Sequence, residues 1–240
     1  MLTNTVFCYI ISENLLSENI MQNNTDRIKK LVVLAVLCAV AFAIAAFGMP
    51  IMPAAPFLKL EFKDAVIVIA GFMYGPLASL AMSVVVAAIE LFTVSEAGVI
   101  GMMMNILSTG AFACTAAVIY RKRHKIDGAI LGLVLGVLLM TALMLLWNYT
   151  MTPIYMGVDR QIVANMLVPV FLPFNLLKGF INAALALALY KPLATALRKA
   201  KLMPPTEKKG KIGLWVVTLI VSLIVIAACV AVILVINGKI

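Results

Sequence analysis

Charge is scarce in this chain: Asp, Glu, Lys and Arg make up 12% of its 240 residues, against roughly 25% in a soluble domain. With 64% of the residues in the hydrophobic set, no stretch is polar enough to build a large aqueous domain, which excludes soluble enzyme folds as the main body. Histidine is nearly absent. The lone His124 and four dispersed cysteines, Cys8, Cys38, Cys114 and Cys229, supply neither a CxxC pair nor a metal set, so a disulfide framework and a zinc site are unsupported. The chain lacks a GxxxxGK[ST] nucleotide loop, and HExxH and GxSxG motifs are missing as well. The 19 Lys and Arg outnumber 10 Asp and Glu, but they sit in short clusters between apolar runs, a pattern of membrane topology rather than of nucleic-acid binding.

What is present is a series of apolar runs of spanning length. Residues 1–26 are mixed and Asn-rich, read as a disordered tail; they lack the basic stretch that opens a signal peptide, and Met21 offers an alternative start. The first span covers 31–47 and stops before Pro50. Pro50, Pro53 and Pro56 exclude regular helix from the loop that follows. The alternating polarity of 57–64 suits an interfacial segment that could serve as a lid. A short run at 65–74 meets the Gly75-Pro76 turn before a full run at 77–94. Further spans cover 99–120, 126–149 and 169–197, the last opening at Pro169 or Pro173. A basic linker, 198–211, leads to a final apolar run, 212–236.

Seven spans are therefore expected, with a six-helix domain over 27–197 and the helix over 212–236 added. Placing the N-terminus in the cytoplasm puts fourteen of the 19 basic residues inside, the clusters at Arg27, Arg121 and Arg198 among them, and the C-terminus outside. The short run at 65–74 must then be a real span, because dropping it would move two of those clusters outward.

On that topology the costly polar groups gather in one leaflet. Glu90, Asn105, Asn148, Asn175 and Lys178 all fall in the outer parts of their spans, with Ser108 and Thr109 one turn deeper. Asn175, Lys178 and Asn182 follow an i, i+3, i+7 pattern and share a helix face. Each has an ordinary alternative, since an asparagine can bond a neighbouring carbonyl and a lysine can snorkel. Together they favour a pocket open to the outside. Apolar and aromatic neighbours such as Phe57, Leu58, Phe92, Trp147, Phe171 and Phe174 suit a neutral, flat, partly polar ligand. No intramembrane carboxylate pair is expected, and Glu90 alone is a thin basis for proton-driven transport. Enzymatic activity is not expected either, because Lys178 has no partner acid or nucleophile in view.

Ala35, Ala39 and Ala43 form an AxxxAxxxA face, either for internal packing or for close approach by another helix. That face, the run Phe62-Lys63-Asp64-Ala65 leading to Gly71-Phe72-Met73-Tyr74-Gly75-Pro76, the Gly98-Val99-Ile100-Gly101 segment before Met104-Asn105, and Pro173-Phe174-Asn175-Leu176-Leu177-Lys178-Gly179 resemble the S components of energy-coupling factor vitamin transporters. The resemblance covers about 27–197 and is greatest to the riboflavin-specific branch. It implies an all-α integral membrane protein with a six-helix S-component core and an additional C-terminal transmembrane helix, multi-pass in the cell membrane. It further implies riboflavin as the transported substrate with no cofactor, and as partners a membrane coupling subunit and two cytoplasmic ATPases, with no nucleic acid. Ala35, Ala39 and Ala43 would dock on the coupling subunit. Asn148, Asn175 and Lys178 would bond the vitamin, with Asn105, Glu90, Phe57 and Leu58 around it. Thiamine, biotin or folate as substrate, and a stand-alone secondary transporter, are the alternatives.

Overall fold

The computed structural model describes residues 2–93, 98–202 and 212–238, and for 2–23, 212 and 214 the backbone alone. Among the described residues eight α-helices run in chain order: α1 (Leu2–Ala45), α2 (Lys63–Tyr74), α3 (Pro76–Thr93), α4 (Gly98–Arg123), α5 (Ile126–Met156), α6 (Arg160–Met166), α7 (Leu172–Lys199) and α8 (Ile212–Ile236). Six segments among the described residues are long and apolar enough to cross a membrane: α1 from Asn24, α3, α4, α5, α6 with α7, and α8 from Trp215. The protein is a multi-pass, all-α membrane protein.

At 12 residues, α2 is about 18 Å long, short of a hydrocarbon core of roughly 30 Å. Its burial explains how it persists. Every residue from Lys63 to Phe72 is buried, and α1, α3, α4 and α7 pack around it, so α2 is the central post of the bundle and meets little lipid. Gly75 ends it at φ +95°, a backbone conformation that favours glycine, and Pro76 opens α3 at once.

The first loop closes with a short ribbon. Strands β1 (Met49–Pro50) and β2 (Lys59–Leu60) pair antiparallel, Met49 opposite Leu60 and Pro50 opposite Lys59. Between them Ile51, Met52, Ala55 and Leu58 are buried against Phe171 and Phe174.

Three expectations about elements need correction. The segment 1–26, read as a disordered tail, is helical from Leu2 and continuous with the first span; extending an existing helix costs far less than nucleating one. The fifth span does not stop at Tyr149 but continues to Met156, where Gly157 in the left-handed region ends it. The sixth is preceded by α6 and a π-helical turn, Leu167–Phe171, that contains Pro169. A π turn tolerates the missing proline N–H, so the chain stays helical through a residue expected to begin the helix. Of the expected linker 198–211, residues 203–211 lie outside the described residues, as does Val94 at the end of the third span. The additional helix α8 packs against α7.

Candidate functional site

At one end of the bundle lies a network of five ionisable side chains, four of them buried. Lys63 and Asp64, each 1% exposed, stand in the first turn of α2; Glu90, 3% exposed, faces them from α3; Lys178, 5% exposed, comes from α7; and Glu61 reaches in from the first loop. The Lys63 ammonium donates to both Glu90 carboxylate oxygens at 2.6 Å. It also lies 2.8 Å from Glu61 Oε2, an ion pair without hydrogen-bond alignment. Asn105 Nδ2 adds a bond to Glu90 Oε2 at 2.9 Å, and Thr109 Oγ1 donates to Asp64 Oδ1 at 2.7 Å. Removing charges from water is costly, and this arrangement is tolerable because each carboxylate meets an ammonium or a further donor.

Lys178 is held differently. It lies 3.7 Å from Glu61 and 3.6 Å from Asp64, close enough for charge attraction but beyond good hydrogen-bond length. One turn along α7, Asn182 Nδ2 donates to the Glu61 carbonyl at 2.8 Å and to the Lys178 carbonyl at 2.9 Å, while its Oδ1 accepts from the Ala65 N–H at 2.9 Å. The end of the first loop is thereby tied to the helix that carries Lys178.

Beside the network is a narrow cleft. Phe57 from the loop covers it, Ile100, Gly101 and Met104 of α4 form one wall, and Trp147, Met151, Thr152 and Tyr155 of α5 form the other. The Phe57 ring meets Tyr155 at 5.8 Å and Phe171 at 6.3 Å. Its interior is about 30 Å³, room for about one water, whereas a drug-sized ligand occupies clefts of roughly 300–1,000 Å³. The structure is therefore closed over this position, and a larger ligand requires the loop to move.

Among the residues expected at the site, Glu90, Asn105 and Lys178 join the ionic network. Phe57 roofs the cleft. Asn148 is buried beside the cleft wall: its Nδ2 donates to the Met144 carbonyl at 2.7 Å and its Oδ1 accepts from Thr152 at 2.8 Å. Asn175 Nδ2 donates to the Phe171 carbonyl at 2.8 Å. Both asparagine donors thus make the local carbonyl bond that was their ordinary alternative. Leu58 is buried in the apolar cluster under the loop and does not line the cleft.

Two expectations about charge are overturned. The sequence predicts a site suited to a neutral ligand and without a carboxylate pair; Glu61, Asp64 and Glu90 place three carboxylates in it. The alternating polarity of 57–64 predicts an interfacial segment, yet its last two residues, Lys63 and Asp64, are sealed inside the bundle, while Phe57 at its start roofs the cleft. The reason is that α2 is central, so its first turn opens into protein rather than water. A signal was available: a buried Glu90 and Lys178 each need a countercharge, and Glu61, Lys63 and Asp64 stood nearest in the chain to a helix without lipid contact.

Ala35, Ala39 and Ala43 are all exposed, whereas Val33, Leu37, Cys38, Ala41 and Ala45 form the inward face of α1. Internal packing is not the use of this stripe. Nor does α8 cover it, since that helix lies on α7.

Residues 29–190 match the family model described as ECF transporter, substrate-specific component. Over 183 residues the chain is 29% identical to the riboflavin transporter RibU of Staphylococcus aureus (strain TCH60), covering 73% of this chain and 96% of that protein. It is 30% identical over 190 residues to the riboflavin transporter RibU of Streptococcus thermophilus (strain ATCC BAA-250 / LMG 18311), with 75% and 89% covered. Identity to the riboflavin transporter FmnP of Bacillus subtilis (strain 168) is 30% over 164 residues, with 65% and 86% covered. A solved S component of a bacterial ECF transporter superposes with a TM-score of 0.61 at 28% identity, over 72% of this chain and 99% of that one.

Proposed function

Because the chain belongs to the family of substrate-specific S components of energy-coupling factor transporters, we propose that it captures riboflavin from outside the cell. We propose further that it delivers the vitamin through a membrane coupling subunit driven by two cytoplasmic ATPases. The similarity to three riboflavin transporters across 86–96% of their lengths carries the choice of vitamin. The chemistry of the site accords with it. A flat ring system enters between the aromatic roof at Phe57 and the α4 and α5 walls, and its carbonyls and hydroxyls need donors. Lys178 is the donor with the most to give, since its ion-pair distances of 3.6 and 3.7 Å leave its N–H bonds poorly used. In this reading Asn148 and Asn175, both buried and bonded to local carbonyls in the closed structure, turn to the vitamin when the loop opens, and Asn105 and Glu90 hold the ionic network beside it.

In this reading the loop over 46–62 is the gate. A ligand that draws Lys178 away from Glu61 loosens the tie between loop and α7, so occupancy and loop position are coupled through one carboxylate. The exposed Ala35, Ala39 and Ala43 face then receives the coupling subunit, because small side chains allow a partner helix to approach closely. The N-terminus lies inside and the C-terminus outside.

Equilibrium binding of a vitamin panel to the purified protein tests the reading, with riboflavin followed by quenching of flavin fluorescence. Saturable quenching by riboflavin, with thiamine, biotin and folate failing to compete, is the expected result. Preference for another vitamin would reassign the substrate within the same family. The three carboxylates of the network give a second reading, ion-coupled transport by this chain alone, some observational basis. Against it, two lysines already neutralise most of that charge. Vesicles containing only this chain should bind riboflavin without concentrating it under an imposed ion gradient.

A further inference from the structure

A second cavity, of about 270 Å³, lies at the opposite end of the bundle from Phe57. His124 and Lys125 contribute from the junction of α4 and α5, Lys191 and Arg198 from the end of α7, and Trp215 and Thr218 from the start of α8. No acidic residue lines it among the described residues. Its floor is aromatic: Phe72, Tyr120 and Tyr190 stack within 4.6 to 6.2 Å of one another, and the Tyr120 and Tyr190 hydroxyls meet at 3.3 Å. Lys191 Nζ sits 5.0 Å from the Trp215 ring centre.

Two donors here are sealed from solvent with no hydrogen-bond partner, Arg198 Nε and Trp215 Nε1. Buried N–H groups are almost always bonded, so an unbonded pair beside several cationic groups calls for an acceptor that carries negative charge. Phosphate matches: it offers several acceptor oxygens to the Arg198 guanidinium and to the flanking ammoniums, and a rotation of the Arg198 or Trp215 side chain into the cavity brings the two sealed N–H groups within its reach. The surroundings indicate where the phosphate comes from. Leu189 of α7 and Val216, Val217 and Ile220 of α8, close by in the chain, are exposed apolar residues on membrane-spanning helices. A headgroup in the cavity would leave its chains lying on that apolar surface. Lys191, Arg198, Trp215 and Thr218 all lie beyond residue 190, where the family match ends, so the cavity depends on the additional helix.

We propose that this cavity binds the phosphate headgroup of an anionic phospholipid from the leaflet at the basic end of the bundle, pinning α8 to the six-helix core. The site is separate from the vitamin cleft, and its test does not depend on which vitamin is carried.

Trp147→Phe leaves Trp215 as the sole tryptophan, a reporter within the cavity. In detergent micelles, brominated phosphatidylglycerol should quench Trp215 at a mole fraction at least tenfold below brominated phosphatidylcholine. Arg198→Gln together with Lys191→Gln should abolish that preference. The same double variant in the chain that retains Trp147 should bind riboflavin as the parent does, which shows that it is folded. Equal quenching by the two lipids, or a preference that survives the double variant, overturns the proposal. Displacement of phosphatidylglycerol by submillimolar inorganic phosphate overturns the lipid as the source and assigns the cavity to a free phosphate compound.

Discussion

Lys63 and Lys178 are both nearly sealed from solvent, yet one is gripped by a carboxylate at 2.6 Å and the other merely flanked by two at 3.6 and 3.7 Å. The difference in distance divides their roles. Lys63 neutralises Glu90 and Glu61, so Lys63→Met should strand the buried Glu90 carboxylate and leave Glu61 only the more distant Lys178. We expect destabilisation of about 3–5 kcal/mol, read as a lowered midpoint in thermal unfolding of the detergent-solubilised protein. Glu90→Gln should partly rescue it by removing one uncompensated charge. Under the proposed function Lys178 instead answers the ligand. Lys178→Ala and Asn175→Ala should each weaken riboflavin binding by about 1–3 kcal/mol, one to two decades, while Lys59→Ala should change affinity much less. Parent-like affinity in both variants would return Lys178 to a purely structural charge and Asn175 to its bond with Phe171.

At the scale of elements, two stripes of small residues with the same four-residue spacing do opposite things. In α5, Gly128, Gly132 and Gly136 face α4, and a Cβ added at Gly132 or Gly136 would sit 2.7 Å from the carbonyl oxygens of Ala116 or Phe112. In α1 the alanine stripe faces outward. Gly136→Val should therefore push α4 from α5 and lower stability by about 1–3 kcal/mol, detectable as early unfolding with riboflavin binding reduced in parallel. Ala39→Trp should leave folding and riboflavin binding intact and abolish uptake in cells that carry the coupling subunit and ATPases. Uptake that persisted with Ala39→Trp and Ala43→Trp together would rule this face out as the docking surface.

Across the whole molecule, the basic clusters gather at one end and the carboxylates of the ionic network, with Lys63 and Lys178, at the other. Lys30 lies over the Tyr74 ring at 5.7 Å, a Cβ added at Gly75 would meet the Arg121 guanidinium, and Arg198 lines the same end, while the carboxylates Glu61, Asp64 and Glu90 gather at the other. On the proposed orientation the basic end faces the cytoplasm, the side on which Lys and Arg are retained during insertion. A cysteine at Lys199 should accordingly resist a membrane-impermeant thiol reagent in intact cells, and one at Asp159 should react. The reverse pattern would turn the vitamin cleft to the cytoplasm.

The long apolar runs and the positive clusters were legible from the chain, because hydrophobic length and basic flanks are local properties that the bilayer reads directly; the run at 65–74 forms the expected short helix, but as a buried post of the bundle and not as a segment of spanning length. Family and fold class followed from the same runs together with the Gly71 to Pro76 and Pro173 to Gly179 segments. Glu90, Asn105 and Lys178 stood out for a related reason: a polar group within an apolar run is conspicuous in one dimension. Lys63 and Asp64 were hidden because they border a span, where charges ordinarily meet water. Only the packing of four helices around α2 turned that border into protein interior. The alanine and glycine stripes show the same limit, since spacing dictates that small residues share a face but not what the face meets. Which charges pair and which faces stay open depends on neighbours distant in the chain, and those contacts exist only once the helices have assembled.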